Sequence, residues 1–342
     1  MKIFIPMAGK GTRLRPFTLT CPKPLLPIND KPIVEHLIDQ INSKLTKQID
    51  EIIYILGDES YFNSDVVTSL TLIADKYNAK TKVYRQLDQL GTGHAIMCAE
   101  DSLEGPSIIA YADTMIQGQI SIDPNVDGII WVKKVKNPSS YGVVSLDEKK
   151  NIIDLIEKPQ KYISDLAVVG IYYFKDISII RDELKTHLNE KLSPGKEYLL
   201  NYGIERMIEK KKVFKSQEIE TWMDCGTPKL LIESAKKIMN SQIIPEENNS
   251  FTQSGNVKII HPVFIGKNVK IKDSEIGPFV SIGDNTDISN SNIESTLIYK
   301  NVRVSNADIA NSILGAYSVY DGSNTEIFLG DYSQINNNED NQ

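Results

Sequence analysis

Lys2-Ile3-Phe4-Ile5-Pro6-Met7-Ala8-Gly9-Lys10-Gly11-Thr12-Arg13, residues 2–13, opens the chain with an apolar run that ends in a glycine turn. The apolar residues do not alternate with polar ones, so Lys2 to Met7 reads as a buried strand. Glycines directly after a buried strand let backbone N–H groups come close to a phosphate. The turn is not a P-loop, because no Gly-Lys-Ser/Thr follows at the required spacing. Nor is it the dinucleotide fingerprint, since Leu14 stands where a third glycine belongs. By itself such a turn can be purely structural.

Outward from this strand, the first ~110 residues alternate short apolar runs with amphipathic stretches, the pattern of a parallel sheet flanked by helices. Strands are expected at 51–56, 82–85 and 107–111. Helices are expected at 32–45, 64–77 and 93–103. In the first of these helices Ile33, Leu37, Ile38, Ile41 and Leu45 share one face. Residues 128–175 are richer in strand, at 129–135, 141–146 and 168–174.

The glycine turn continues as Leu14-Arg15-Pro16-Phe17-Thr18 and then Pro22-Lys23-Pro24-Leu25-Leu26-Pro27. Prolines on both sides hold Lys23 on a stiffened, extended segment able to fold back over the turn. Arg13 and Lys23 then face one triphosphate; the competing reading is that both are solvated surface charges. Gly-Xaa-Gly-Thr-Arg followed ten residues later by Lys-Pro resembles the sugar-1-phosphate nucleotidylyltransferases, above all the glucose-1-phosphate thymidylyltransferases and their UTP-using relatives. The resemblance covers residues 2 to about 235 and rests on several separated motifs in the family's order.

That resemblance implies a set of roles. Ala8, Gly9, Gly11 and Thr12 cradle the nucleotide phosphates, with Arg13 and Lys23 as the catalytic cations. In Gln86-Leu87-Asp88-Gln89-Leu90-Gly91-Thr92-Gly93-His94, the Gln86 amide and the Gly91 backbone read the edge of uracil or thymine, and Thr92 joins the nucleotide site. An amide offers both a donor and an acceptor to a pyrimidine. The alternative reading of this stretch is a helix N-terminus capped by Thr92. His94 reads as a helix-lining residue. Asp113 ends Ala110-Tyr111-Ala112-Asp113 at the carboxyl end of an apolar strand, the edge where ligands bind in open α/β sheets. The family usually has glycine where Ala112 stands.

Asp224, in Thr221-Trp222-Met223-Asp224-Cys225-Gly226-Thr227, matches the family's second metal aspartate, so Asp113 and Asp224 are the expected Mg²⁺ ligands. As isolated residues, Asp113 would be read as capping a turn, and Asp224 or Thr227 as capping the following helix. On the sugar side Lys158 is expected on the sugar phosphate, and Gly142, Glu157 and Gly170 around the sugar. Val168 and Val169 are apolar where relatives often carry polar residues, which leaves the sugar open.

Composition shifts after Asn240. Residues 1–240 are expected to form the catalytic domain, 241–256 a linker, 257–330 a second domain and 331–342 a disordered tail. In the second domain aliphatic residues recur at six-residue spacing, as at Ile265 and Ile271, at Ile276, Ile282 and Ile288, and at Ile298 and Val304. One inward side chain per flat face is the signature of a parallel β-helix, here a short left-handed one. Phase slips near 271–276 and 288–298 keep a meandering sandwich as the alternative. The fold class is therefore an α/β Rossmann-like nucleotidyltransferase domain followed by this β-helix.

A net charge of −7 argues against a nucleic-acid partner. Cys21, Cys98 and Cys225 fit neither a zinc site nor a disulfide framework, and no apolar run reaches membrane-spanning length, so a cytoplasmic enzyme is expected. Its partners are a nucleoside triphosphate and a sugar 1-phosphate, dTTP or UTP with glucose 1-phosphate first. Mannose-1-phosphate guanylyltransferase and a catalytically silent regulatory homologue are the alternatives. The repeat region holds one histidine, His261, which favours a role in homo-oligomer assembly or regulation over acyl transfer.

Overall fold

The structure is a computed structural model that describes residues 1–193, 195–241, 251–322 and 326–336. Contacts divide the chain into two compact units, Met1–Gly9 with Leu37–Trp222, and Lys10–His36 with Met223–Gln342. The expected division near residue 240 is sequential. The observed one is not, because residues 10–36 cluster with the carboxyl-terminal part of the chain.

The first unit is built on a nine-stranded sheet. Its strands are β1 (Lys2–Pro6), β2 (Glu51–Leu56), β3 (Lys80–Arg85), β4 (Ser107–Ala110), β5 (Gly128–Lys134), β6 (Gly142–Leu146), β7 (Ile152–Glu157), β8 (Leu166–Phe174) and β9 (Phe214–Glu218). The order β3-β2-β1-β4 is parallel throughout. Beyond β4 the sheet turns mixed: β8 runs antiparallel to β4, β5 and β6, and β7 antiparallel to β6. Ile3, Phe4 and Ile5 of β1 are all fully buried, as its unalternating apolar run requires.

On one face Phe4, Ile53, Ile55 and Ile109 share a core with Ala95, Ile96, Leu184, Leu200 and Ile204. These come from α3 (Thr92–Met97), α4 (Ser178–Leu188) and α5 (Leu200–Glu209). On β2 the alternate residue Tyr54 instead donates to the carbonyl of Leu70, on α2 (Ser64–Asp75). Asn63 caps α2 by accepting from the amides of Asp65 and Val66. The helix expected at 93–103 stops at Met97, and a 3₁₀ turn at Glu100–Ser102 completes the stretch. The remaining helices are α1 (Ile33–Asn42) and α6 (Pro228–Ser241). No described helix is long and apolar enough to cross a membrane.

In the second unit the repeat region is a short left-handed parallel β-helix. One face stacks Val263–Ile265, Val280–Ile282, Leu297–Ile298, Ile313–Leu314 and Phe328–Leu329. The register between Ile271, Ile288, Val304, Tyr320 and Ile335 gives coils of 17, 16, 16 and 15 residues, not a uniform 18. The inward ladder Ile271, Ile276, Ile282, Ile288, Ile293, Ile298, Val304, Ile309, Leu314 and Tyr320 forms one core. Its steps are therefore five or six residues. The slips at 271–276 and 288–298 are sides one residue shorter, and the sandwich alternative falls away.

Short corners need backbone that L-residues rarely adopt, and asparagine tolerates it best after glycine. Asn268, Asn285 and Asn301 stack at one corner with φ of 56°, 57° and 58°. Asn290 and Asn306 stack at another, with φ of 49° and 52°. Asn268 donates to Asn285 across one step of the first corner at 3.1 Å.

Two expected boundaries move. Thr252–Ile259 is already strand, paired with the strand at Lys270–Ile276, so the end of the expected linker belongs to the β-helix; residues 242–250 lie outside the described residues. Gln334–Ile335 pairs with Val319–Tyr320, so the start of the expected tail is a further coil, while residues 337–342 lie outside the described residues. Backbone pairing with a neighbouring coil, the following one for Thr252–Ile259 and the preceding one for Gln334–Ile335, orders both segments despite their polarity.

Replacing Asn285 by valine puts a β-branched residue at φ 57° and should destabilise the protein by about 1–3 kcal/mol. Glycine at the same position should remain within about 1 kcal/mol of wild type. Urea denaturation of both variants checks this, and equal midpoints would contradict the corner account.

Candidate active site

In the first unit the strand order reverses at β1 and β4. The loop after β1 and the loop after β4 leave in opposite directions and open a crevice at their carboxyl ends. Ala8 and Gly9 follow β1, and Ala112 and Asp113 follow β4. The loop after β3 reaches the same edge, where Gln89 Nε2 donates to the Ala8 carbonyl at 3.1 Å. A Cβ built on Gly9 meets nothing within 4 Å, so that glycine borders open space.

The segment 86–93 is held rigidly. Gly93 N donates to Tyr198 O at 2.7 Å, and Tyr198 N donates to Leu90 O at 2.8 Å. Gly91 has φ 120°, and a Cβ there would lie 2.6 Å from Tyr198 O, so only glycine fits. Gln86 is 6% exposed and its Nε2 donates to Gly91 O at 2.9 Å. Thr92 is not the helix cap. Gly91 holds the cap position of α3, and Thr92 Oγ1 accepts from Leu200 N at 3.0 Å.

A line of contacts leads from Tyr111 across the unit. The Tyr111 ring meets the Tyr172 ring edge-on with centroids 5.8 Å apart, and burial pushes the Tyr111 hydroxyl's pKa up to about 12. Tyr172 donates to Asn201 Oδ1 at 2.9 Å, and Asn201 Nδ2 donates to Glu157 Oε2 at 2.8 Å. The bonds of Asn201 tie β8 and α5 to the end of β7. Asn201 escaped the sequence reading. Its signal is an amide on the apolar stripe of α5, beside Leu200, Ile204 and Met207.

Gly142 sits against this pair. A Cβ there would lie 2.8 Å from Asn201 Nδ2 and 2.9 Å from Glu157 Oε2. Lys158 has φ 47° and an exposed side chain whose Nζ is 3.8 Å from Glu157 Oε1. Gly170 has φ 86°, and a Cβ would come within 2.6 Å of the Tyr111 ring. It lies where β8 bulges between Val168 and Tyr172, which is a structural reason for glycine there.

Gly11, Thr12, Arg13, Lys23 and Asp224 belong to the second unit. Gly11 has φ 61°, and its carbonyl accepts from Leu14 N and from Thr18 Oγ1. A Cβ on Gly11 would lie 3.0 Å from Lys23 Cβ, so the lysine packs back against the glycine turn. Lys23 is 9% exposed, unlike a solvated surface charge, whereas Arg13 is exposed. The segment carrying Lys23 is not extended, as expected from its prolines, but a 3₁₀ turn over Lys23–Leu25; Leu25 N donates to Pro22 O at 2.8 Å and closes it.

Asp224 Oδ1 accepts from Gly226 N at 2.7 Å. Arg13 Nη2 lies 3.2 Å from where a Gly226 Cβ would stand, so Arg13 and Asp224 meet at that glycine. Thr227 Oγ1 accepts from Leu230 N at 3.4 Å in the first turn of α6, so the capping role belongs to Thr227. Asp113 and Asp224 supply hard carboxylate oxygens, a donor type that fits Mg²⁺. No described group of three or more His, Cys, Asp or Glu could hold an ion.

Residues 4–241 match the Nucleotidyl transferase family. The chain is 29% identical to the bifunctional protein GlmU of Methanococcus maripaludis, over 92% of this chain and 78% of that one. It is 26% identical to the glucose-1-phosphate thymidylyltransferase of Streptomyces antibioticus, over 98% and 99%. Among solved structures, a UDP-glucose pyrophosphorylase complexed with UDP-glucose superposes with a TM-score of 0.56 at 24% identity, covering 70% of this chain and 99% of that one. With the matched region spanning the whole sheet and its crevice, the chain belongs to the nucleotidyl transferase family.

Proposed function

We propose that the protein joins a sugar 1-phosphate to a pyrimidine nucleoside triphosphate and releases pyrophosphate, with dTTP or UTP and glucose 1-phosphate as the first pair to test. The observation that carries this reading is the crevice at β1 and β4, where an open glycine turn, Asp113 and the Gln86–Gly91 segment share one sheet edge. Both reactants are anions, so the work of the site is to offset repulsion and hold the alignment. The sugar phosphate oxygen attacks the α-phosphorus in line with the departing pyrophosphate. A phosphate monoester is already ionised at neutral pH, so no general base is required.

In this reading Ala8, Gly9, Gly11 and Thr12 hold the triphosphate through backbone N–H groups. Arg13 and Lys23 neutralise it, and the burial of Lys23 strengthens its attraction for the phosphates by excluding water. Lys158 meets the attacking phosphate, while Glu157 and Gly142 face the sugar. The hold of Asn201 on Glu157 Oε2 fixes that carboxylate's orientation. Asp113 and Asp224 are the proposed carboxylates for Mg²⁺, which when bound neutralises phosphate charge and fills its other positions with water and phosphate oxygens. The β-helix is proposed to assemble copies of the chain, since its flat faces can stack. Light scattering of the intact protein should then give a mass above the 38.4 kDa of one chain.

A pyrophosphate-release assay over the common nucleoside triphosphates and several sugar 1-phosphates tests the reaction itself. dTTP and UTP should be used within about 200-fold of each other, since they differ by a methyl group on the base and a ribose hydroxyl. A purine nucleotide as best substrate would move the reading to the guanylyl- or adenylyl-transferring enzymes.

Lys23→Ala and Arg13→Ala should each lower kcat at least ~10-fold, and up to ~10³-fold, without unfolding the protein. Near-normal turnover in either variant removes that residue from the mechanism. Asp113→Asn and Asp224→Asn should each raise the Mg²⁺ concentration needed for half-maximal activity, and an unchanged midpoint excludes that residue as a ligand.

A further inference from the structure

His94 reads from the sequence as a helix-lining residue, yet its imidazole is engaged. Gln86 Nε2, already donating to Gly91 O at 2.9 Å, lies 3.1 Å from His94 Nδ1. A primary amide carries two N–H donors and one carbonyl acceptor. Here both donors are turned inward, one to a backbone carbonyl and one to the ring. A ring nitrogen that accepts must be unprotonated, so His94 is the tautomer with its proton on Nε2. Gln86 Oε1 has no hydrogen-bond partner among the described residues. It is therefore the acceptor that the amide can offer to a ligand.

The surroundings leave this arrangement little freedom. Gly91 O, the other anchor, also accepts from Ala95 N at 3.0 Å in the first turn of α3. Gly91 is pinned by the Tyr198 backbone. His94 sits on the same short helix, three residues beyond that anchor, so its ring and the Gly91 carbonyl are presented together.

We infer that His94 is a positioning residue for base selection. By accepting from Gln86 it holds the amide with Oε1 available, so the site takes a base whose edge presents an N–H and disfavours one that presents a lone pair. Uracil and thymine carry a hydrogen on N3. Cytosine carries a lone pair there, which would face the Gln86 oxygen lone pairs. This rests on the reading of Gln86 as a base-contacting residue. His94 does not touch the base and acts through the amide.

The test compares wild type, His94→Leu and His94→Asn. Leucine preserves size and helix propensity but cannot accept. Asparagine can return an acceptor oxygen near the position of Nδ1. For each protein the KM and kcat for UTP are measured, with CTP titrated as competitor, so that the CTP inhibition constant over the UTP KM reads selectivity even where CTP is not turned over. Losing one hydrogen bond of ordinary strength corresponds to about tenfold. His94→Leu should lower that ratio by about tenfold, with the loss for UTP in KM rather than kcat. His94→Asn should recover most of it.

A merely structural histidine predicts weaker turnover of every nucleotide with the ratio unchanged, and that result overturns the inference. If wild type uses UTP or dTTP and His94→Leu keeps the ratio, only the role of His94 fails. A wild type that uses no pyrimidine nucleotide overturns the proposed reaction, and this inference with it.

Discussion

Parallel pairing of β1 with both β2 and β4 is the constraint on which the catalytic architecture depends. A parallel neighbour cannot be reached by a tight turn, so the chain must leave the carboxyl end of each strand and cross back over a face of the sheet. Helices on the sheet faces bury the apolar residues of β1 and β2. Because β1 has partners on both sides, the connections after β1 and β4 diverge, and the space between them is lined by strand-end residues. The open glycine turn and Asp113 occupy that edge as a consequence of the topology.

Around this edge the protein invests polar groups in rigidity. Tyr198 locks the loop of Gly91 and Gly93 through backbone bonds. Tyr172, Asn201 and Glu157 are joined by hydrogen bonds in a largely buried chain. Buried polar groups are costly unless paired, so a fully paired chain specifies one arrangement. An enzyme joining two anions depends on such fixed dipoles and charges, because reorganising them during the reaction would forfeit much of their effect. The lysine in the 3₁₀ turn after Pro22 follows the same logic, buried against the glycine turn at Gly11.

The β-helix obeys a different rule. Its core needs one aliphatic residue per side, but nothing requires the sides to be equal. Asparagine at positive φ turns corners on full six-residue sides, as Asn285 between Ile282 and Ile288, and on sides one residue shorter, as Asn290 between Ile288 and Ile293. A strict six-residue count therefore finds the architecture and misplaces the phase. The registers of 17, 16, 16 and 15 residues show the coil tightening along the chain.

Local pattern alone determined much of this protein. The unbroken apolar run of β1, the amphipathic helices, the glycine turn at 9 and 11 and the inward aliphatics of the repeat were legible because each depends on neighbours close in sequence. What only the tertiary structure decided depends on contacts distant in sequence. Residues 10–36 fold with the carboxyl-terminal unit and not with the strand they follow. Thr252–Ile259 and Gln334–Ile335, polar by composition, become strands because a neighbouring coil offers them backbone partners. Asn201 and His94 look unremarkable on their helices, and they matter through single bonds to Glu157 and Gln86. Periodicity reports which face of an element is buried, but the partner of a buried polar atom is set only when the chain has closed on itself.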